Sequence, residues 1–137
     1  MNNARIFRLL LIAGLLPTAA CTHNALEQPA PAPSCIADSA EAISFSRNII
    51  PIFTQHCALP DCHSGSSPEG NLNLEADVAY AQLTRPGRWY MDTTDPKGSL
   101  LYSQMISVTD PMPPTGKLDD CTIRTVLKWI EQKAQNN

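Results

Sequence analysis

One segment of the 137 residues restricts the possible folds more than any other: Cys57-Ala58-Leu59-Pro60-Asp61-Cys62-His63. It sets two thiols with four residues between them and a histidine directly after the second. Such a set can be cross-linked in three ways. A zinc ion is one, but paired zinc ligands usually lie about two to four residues apart, adjacent Cys62 and His63 are awkward partners on one tetrahedral ion, and no fourth ligand stands out. A disulfide between Cys57 and Cys62 is the second, and it leaves His63 without a role. The third is covalent attachment of a haem c, which needs two thiols for the vinyl groups on one porphyrin edge and a histidine that swings under the iron. The common haem-attachment run has two residues between the cysteines. Here there are four, and the chain can loop outward at Pro60-Asp61, a pair suited to a turn. The step Cys62-His63, which sets the axial bond, is intact.

The surroundings favour the haem reading. Residues 1–20 carry Arg5 and Arg8, then the apolar stretch Leu9 to Leu16, then small residues. This is the order of a secretory signal, and the apolar stretch is too short for a transmembrane helix of about 20 residues. The junction Thr18-Ala19-Ala20-Cys21 resembles the bacterial lipobox, with Thr18 where leucine is usual. That resemblance implies lipid attachment at Cys21; the plainer alternative is cleavage after Ala20 and a free thiol. Thr22 in place of Asp favours sorting to the outer membrane in proteins of this kind. Residues 21–40 follow as an anchor and linker, with Pro29, Pro31 and Pro33 alternating with alanine, a pattern that favours extended polyproline II and a semi-rigid spacer.

Residues 41–137 remain as one small domain, with a limited core of its own. A covalent cofactor and a disulfide would both supplement it. Removing Arg5 and Arg8 with the signal leaves eight basic residues against thirteen acidic ones, a poor balance for binding nucleic acid. Phe45, Ile49, Ile52 and Phe53 recur at helical spacing, with Ser44, Ser46 or Asn48 as caps, Pro51 arguing for a late start and an end near Cys57. Residues 65–70 read as a loop, Glu75 to Leu83 as a short helix, and Ser99 to Ile106 as another after the Pro96-Lys97-Gly98 turn. Residues 110–116 hold three prolines and cannot be helical. The last helix is the clearest, capped by Asp119 and striped by Ile123, Val126, Leu127 and Ile130. No repeat and no strand alternation is evident, so the fold class is all-α.

From Ile43 to Ala134, about two thirds of the chain, the sequence resembles a small class I cytochrome c domain of a branch common in environmental bacteria and often lipid-anchored. The matching pieces are Phe45 with Ile49, Pro51, Ile52 and Phe53, then Cys57 to His63, Gly70-Asn71-Leu72-Asn73-Leu74, Ser99-Leu100-Leu101-Tyr102, Met112-Pro113-Pro114-Thr115-Gly116, and Trp129-Ile130. The resemblance implies helices wrapped around one haem, the first and last of them crossing. It also implies that Met112, in its proline-stiffened loop, is the distal axial ligand opposite His63; the plainer reading is a methionine filling a core gap. Met105 and Met91 are expected to pack. His56 cannot easily reach the opposite face, and His23 lies in the linker. If the first and last helices cross, Cys35 and Cys121 meet and form a disulfide; the alternative is two free thiols. Arg85, Arg88, Trp89 and Tyr90 are candidates to hydrogen-bond haem propionates, against the equal case for a solvated loop. Trp129 and Tyr102 are expected in the core and against the haem.

The expected function is single-electron transfer outside the cytoplasm, with redox proteins as partners, the membrane reached through Cys21, and no catalytic residues. The alternative is a haem-based gas or redox sensor, or a small haem enzyme, either of which needs a displaceable distal ligand. A structural lipoprotein whose cysteines only cross-link is a third reading.

Overall fold

The computed structural model describes residues 34–39 and 41–137; the expected signal, Cys21 and most of the linker lie outside them. Four α-helices and no strand occur among the described residues, in accord with the all-α expectation. They are α1 (Ile50–His56), α2 (Ala79–Leu83), α3 (Leu100–Ile106) and α4 (Asp120–Glu131). None of them is long and apolar enough to cross a membrane.

α4 is the longest, and its start is set by Asp119, whose carboxylate accepts the Thr122 N–H at 3.0 Å and the Thr122 hydroxyl at 2.6 Å. These two bonds hold its carboxyl below the usual carboxylate range. Such a cap stabilises a helix by about 1 kcal/mol. Ile123, Val126, Trp129 and Ile130 form the buried face. Leu127, expected in that stripe, is only partly buried. The helix is turned toward Trp129 because that indole stacks on Phe45, with ring centroids 5.1 Å apart. Phe45 in turn meets Tyr80 edge-on at 5.3 Å and Phe53 at 6.4 Å. The first helical segment and α4 therefore pack together as expected, around an aromatic centre.

The first helical run begins earlier than Pro51 suggests. Ser44 caps it by accepting the Arg47 N–H, and Phe45–Ile49 form a wide π-helical turn in which the Ile50 N–H reaches the Phe45 carbonyl. Pro51 then stands in the first turn of α1. A proline ring crowds the carbonyl four residues back and offers no N–H, so a widened turn ahead of it lets the helix start before the proline. The second helix starts later than expected, at Ala79, after a turn in which Glu75 O accepts from Val78 and Ala79.

The end of the presumed linker is part of the domain. Ile36–Asp38 form a single 3-10 turn against α4. Asp38 pairs with Arg124 at 3.1 Å, and Lys128 donates to the carbonyls of Ala37 and Ser39. Cys35 and Cys121 are joined by a disulfide, with Cα atoms 5.5 Å apart across 86 positions of sequence. Closing so long a loop removes denatured-state entropy worth about 4–5 kcal/mol. The Cys35→Ser, Cys121→Ser double variant is therefore expected to unfold at markedly lower denaturant, with most of that loss visible in the extrapolated stability. An unchanged midpoint would show that the bond contributes little.

Candidate haem-binding site

The paired cysteines sit where α1 gives way to a tight loop. Cys57 ends the helix, its N–H bonded to the Phe53 carbonyl at 2.8 Å. Pro60 and Asp61 then turn the chain, with Asp61 at φ 61° and the Cys62 N–H closing on the Leu59 carbonyl at 3.0 Å. Proline second and a positive φ third are the signature of a type II turn, and aspartate is among the few non-glycine residues that accept that φ. The extra residues thus loop outward, as the sequence suggests. The His63 N–H returns to the Cys57 carbonyl at 3.1 Å, which draws both ends of the motif together. Cys57 and Cys62 are free thiols, not joined to each other. Burial, and secondarily the neighbouring Cys62, push the Cys57 thiol up to about 11. It is held protonated at neutral pH and is not an activated thiolate nucleophile.

The His63 ring is gripped from one side. Its Nδ1 lies 3.1 Å from the Glu69 carbonyl and 3.1 Å from the Leu72 carbonyl. Carbonyls only accept, so Nδ1 carries the proton and Nε2 keeps its lone pair. Two positive-φ residues make this grip: Gly70 at 62° and Asn71 at 54° bend the chain so that the carbonyls before and after them aim at the same nitrogen. A further bond from the Leu74 N–H to the His63 carbonyl, at 2.8 Å, fixes the segment against the motif.

Two hollows, of about 140 and 320 Å³, share Cys57, His63 and Met112 in their walls and so form one cleft. The smaller is bounded by Cys62 and the Met112-Pro113-Pro114 loop. The larger is walled by Leu72, Leu74, Tyr90, Leu101 and Met105, a mainly apolar surface contributed by the loop after the motif, by the segment between α2 and α3, and by α3. Met112 is half-buried, and its N–H bonds to the Gln104 carbonyl of α3 at 3.0 Å. Met105 is in the core as expected, 5 % exposed, while one side of it also faces the cleft. Met91 packs partly buried at a different hollow.

The residues proposed for propionate contacts divide. Tyr90 is on the cleft wall, but its hydroxyl donates to the Gly70 carbonyl at 3.2 Å. Arg88 and the exposed Trp89 line a separate hollow with Thr84, Asp92 and Lys133, and Arg85 bonds to Gln82. Trp129 is wholly buried, with its Nε1–H donating to the Gln135 carbonyl at 3.0 Å. The holding groups on His63 are backbone carbonyls, which residue identity does not announce; the Gly70-Asn71 dipeptide, a turn signal, is their only trace in the sequence. Among the described residues, no group of three or more His, Cys, Asp or Glu side chains converges as a metal site, so the zinc reading finds no ligand set there.

An imidazole with a free Nε2, two free thiols and a thioether lining one cleft, and a largely apolar wall are the kinds of donor and surroundings that a haem c requires. A family model described as Planctomycete cytochrome C matches residues 60–116. With the all-helical fold, that match supports a cytochrome c-like domain and, in general terms, a haem-binding redox protein. The match takes in Cys62, His63 and Met112 and begins three residues after Cys57. No curated protein and no solved structure shows a significant match.

Proposed function

We propose that this protein is an extracytoplasmic single-electron carrier. One haem c is attached through Cys57 and Cys62, with His63 and Met112 as axial ligands, in a class I arrangement. The domain is tethered by lipid at Cys21, most simply to an outer membrane, and exchanges electrons with other redox proteins. The observation that carries this reading is the grip on His63 Nδ1, which leaves Nε2 free to bind iron on a cleft lined also by both thiols and Met112.

A haem so held supplies a one-electron couple at its iron. The chain's own work is to hold the imidazole in one tautomer, keep water from an apolar cleft, and present a soft sulfur from a loop that proline stiffens. Soft thioether ligation supports a higher potential than two histidines would.

The test is the absorption spectrum of the chain matured with a haem-attachment system. A six-coordinate low-spin haem with a methionine-to-iron charge-transfer band in the oxidised state is expected. A high-spin spectrum would instead favour a sensor or small haem enzyme, and no haem at all would remove the redox reading. Partition of the matured protein into a detergent phase tests the anchor.

A further inference from the structure

We propose that Tyr90 is a positioning residue for His63: its buried hydroxyl holds the Gly70 peptide, and through it the turn whose carbonyls grip the imidazole. This rests on the haem reading above and adds to it the group that sets the strength of the histidine ligand.

The chain of contacts is short. Tyr90 is 7 % exposed and donates its hydroxyl proton to the Gly70 carbonyl at 3.2 Å. Gly70 lies between the two residues whose carbonyls hold His63 Nδ1, Glu69 and Leu72, each at 3.1 Å. Packing does not fix this glycine, since a Cβ there would meet nothing within 4 Å. Its φ of 62° is one that glycine leaves as readily as it enters. The turn is closed by two backbone bonds, Asn71 N–H to Pro68 O at 3.0 Å and Leu72 N–H to Glu69 O at 3.2 Å. The Glu69 N–H to Cys62 O bond at 2.9 Å and the Leu74 N–H to His63 O bond at 2.8 Å hold it to the paired-cysteine motif, and the Tyr90 hydroxyl ties it to the α3 side of the fold. Tyr90 is itself anchored, because its carbonyl accepts the Leu101 N–H at 3.0 Å in the first turn of α3. The same helix holds Met112 through the Gln104 carbonyl at 3.0 Å. α3 is thus the common frame for both sides of the cleft, and Tyr90 is its connection to the histidine side.

The electronic consequence has a definite sign. A firm Nδ1–H···O bond makes Nε2 a stronger donor, which favours the oxidised state of a bound metal. Loosening the turn weakens that bond and raises the reduction potential.

The experiment uses Tyr90→Phe in the matured, haem-loaded full chain, a change that removes the hydroxyl and keeps the ring. Two quantities are measured: the midpoint potential, and the solvent exchange of the His63 Nδ1 proton by NMR in the reduced state. The expected result is a higher potential together with Nδ1–H exchange roughly ten-fold faster, while the amides of α4 keep their protection. An unchanged Nδ1–H exchange overturns the proposal whatever the potential does, since Tyr90 would then not act through the His63 grip. Faster exchange with an unmoved potential overturns the tuning role. Equal loss of protection in α4 reduces Tyr90 to a residue of general stability and overturns the proposal too. If the parent chain takes up no haem, the haem reading fails first, and that failure is recognised before any variant is compared.

Discussion

The Cys57→Ala, Cys62→Ala double variant is expected to retain no haem after denaturation, whereas the parent chain keeps a haem-sized mass increment under the same treatment. Thioether links survive acid and organic solvent; axial bonds do not. Mass spectrometry of the matured, denatured protein reads the difference directly, and a parent chain that loses its haem in acid acetone would refute covalent attachment. The effect on folding is expected to be large as well. The cleft wall formed by Leu72, Leu74, Tyr90, Leu101 and Met105 is apolar and opens on the side where the cofactor would sit. Leu72, Leu74, Tyr90 and Met105 are already buried, so the loss falls on the partly exposed Leu101 and Met112, whose full burial is worth on the order of 1.5–3 kcal/mol each. A domain of this size has a small reserve to set against that loss. The double variant should therefore melt far below the parent, with loss of the near-ultraviolet signal of Trp129. Single variants test the two thiols separately. The half-buried Cys57 is at the helix end and Cys62 beside His63, so Cys62→Ala is expected to disturb the axial bond more than Cys57→Ala.

Met112→Ala is expected to abolish the methionine charge-transfer band and open the sixth position to water, carbon monoxide or cyanide. Losing a soft neutral sulfur favours the oxidised iron, and the midpoint potential should fall by on the order of a tenth of a volt or more, within the ~0.8 V range that axial ligation spans. Two methionines face the cleft, so the control is Met105→Ala. Met105 is 5 % exposed in the core, and its truncation should cost about 2–5 kcal/mol of stability and leave the ligation spectrum alone. If the band follows Met105 instead, the proline loop is not the distal element. If it survives both changes, the histidine–methionine assignment fails, and a sensor or enzyme becomes the better account.

Several features were legible in the sequence because each is a local matter. Cys62 and His63 are adjacent, so their joint chemistry needs no tertiary contact to be seen. Pro60-Asp61 specifies its own turn, and the Asp61 φ of 61° matches it. α4 could be read because a cap at Asp119 and an apolar stripe lie within one continuous stretch. The π-helical entry at Phe45–Ile49 was missed, because a proline inside a helical pattern signals a start or a break but not a widened turn before it.

What the tertiary structure decided was which distant groups meet. Met105 and Met112 are alike in chemistry, and only the packing of α3 shows that both reach the cleft. Trp89 and Tyr90 are neighbours with similar side chains, and the carbonyls of both accept from the first amides of α3, yet one is 76 % exposed and the other 7 %. The pairing of Cys35 with Cys121 spans 86 positions and depends on the first segment being laid along α4. Most of all, the atoms that set the His63 tautomer are backbone oxygens, six and nine residues away. Every residue has such an oxygen, so its identity carries no signal; its direction does, and direction is set by φ and ψ at Gly70 and Asn71 and by a tyrosine twenty residues further on.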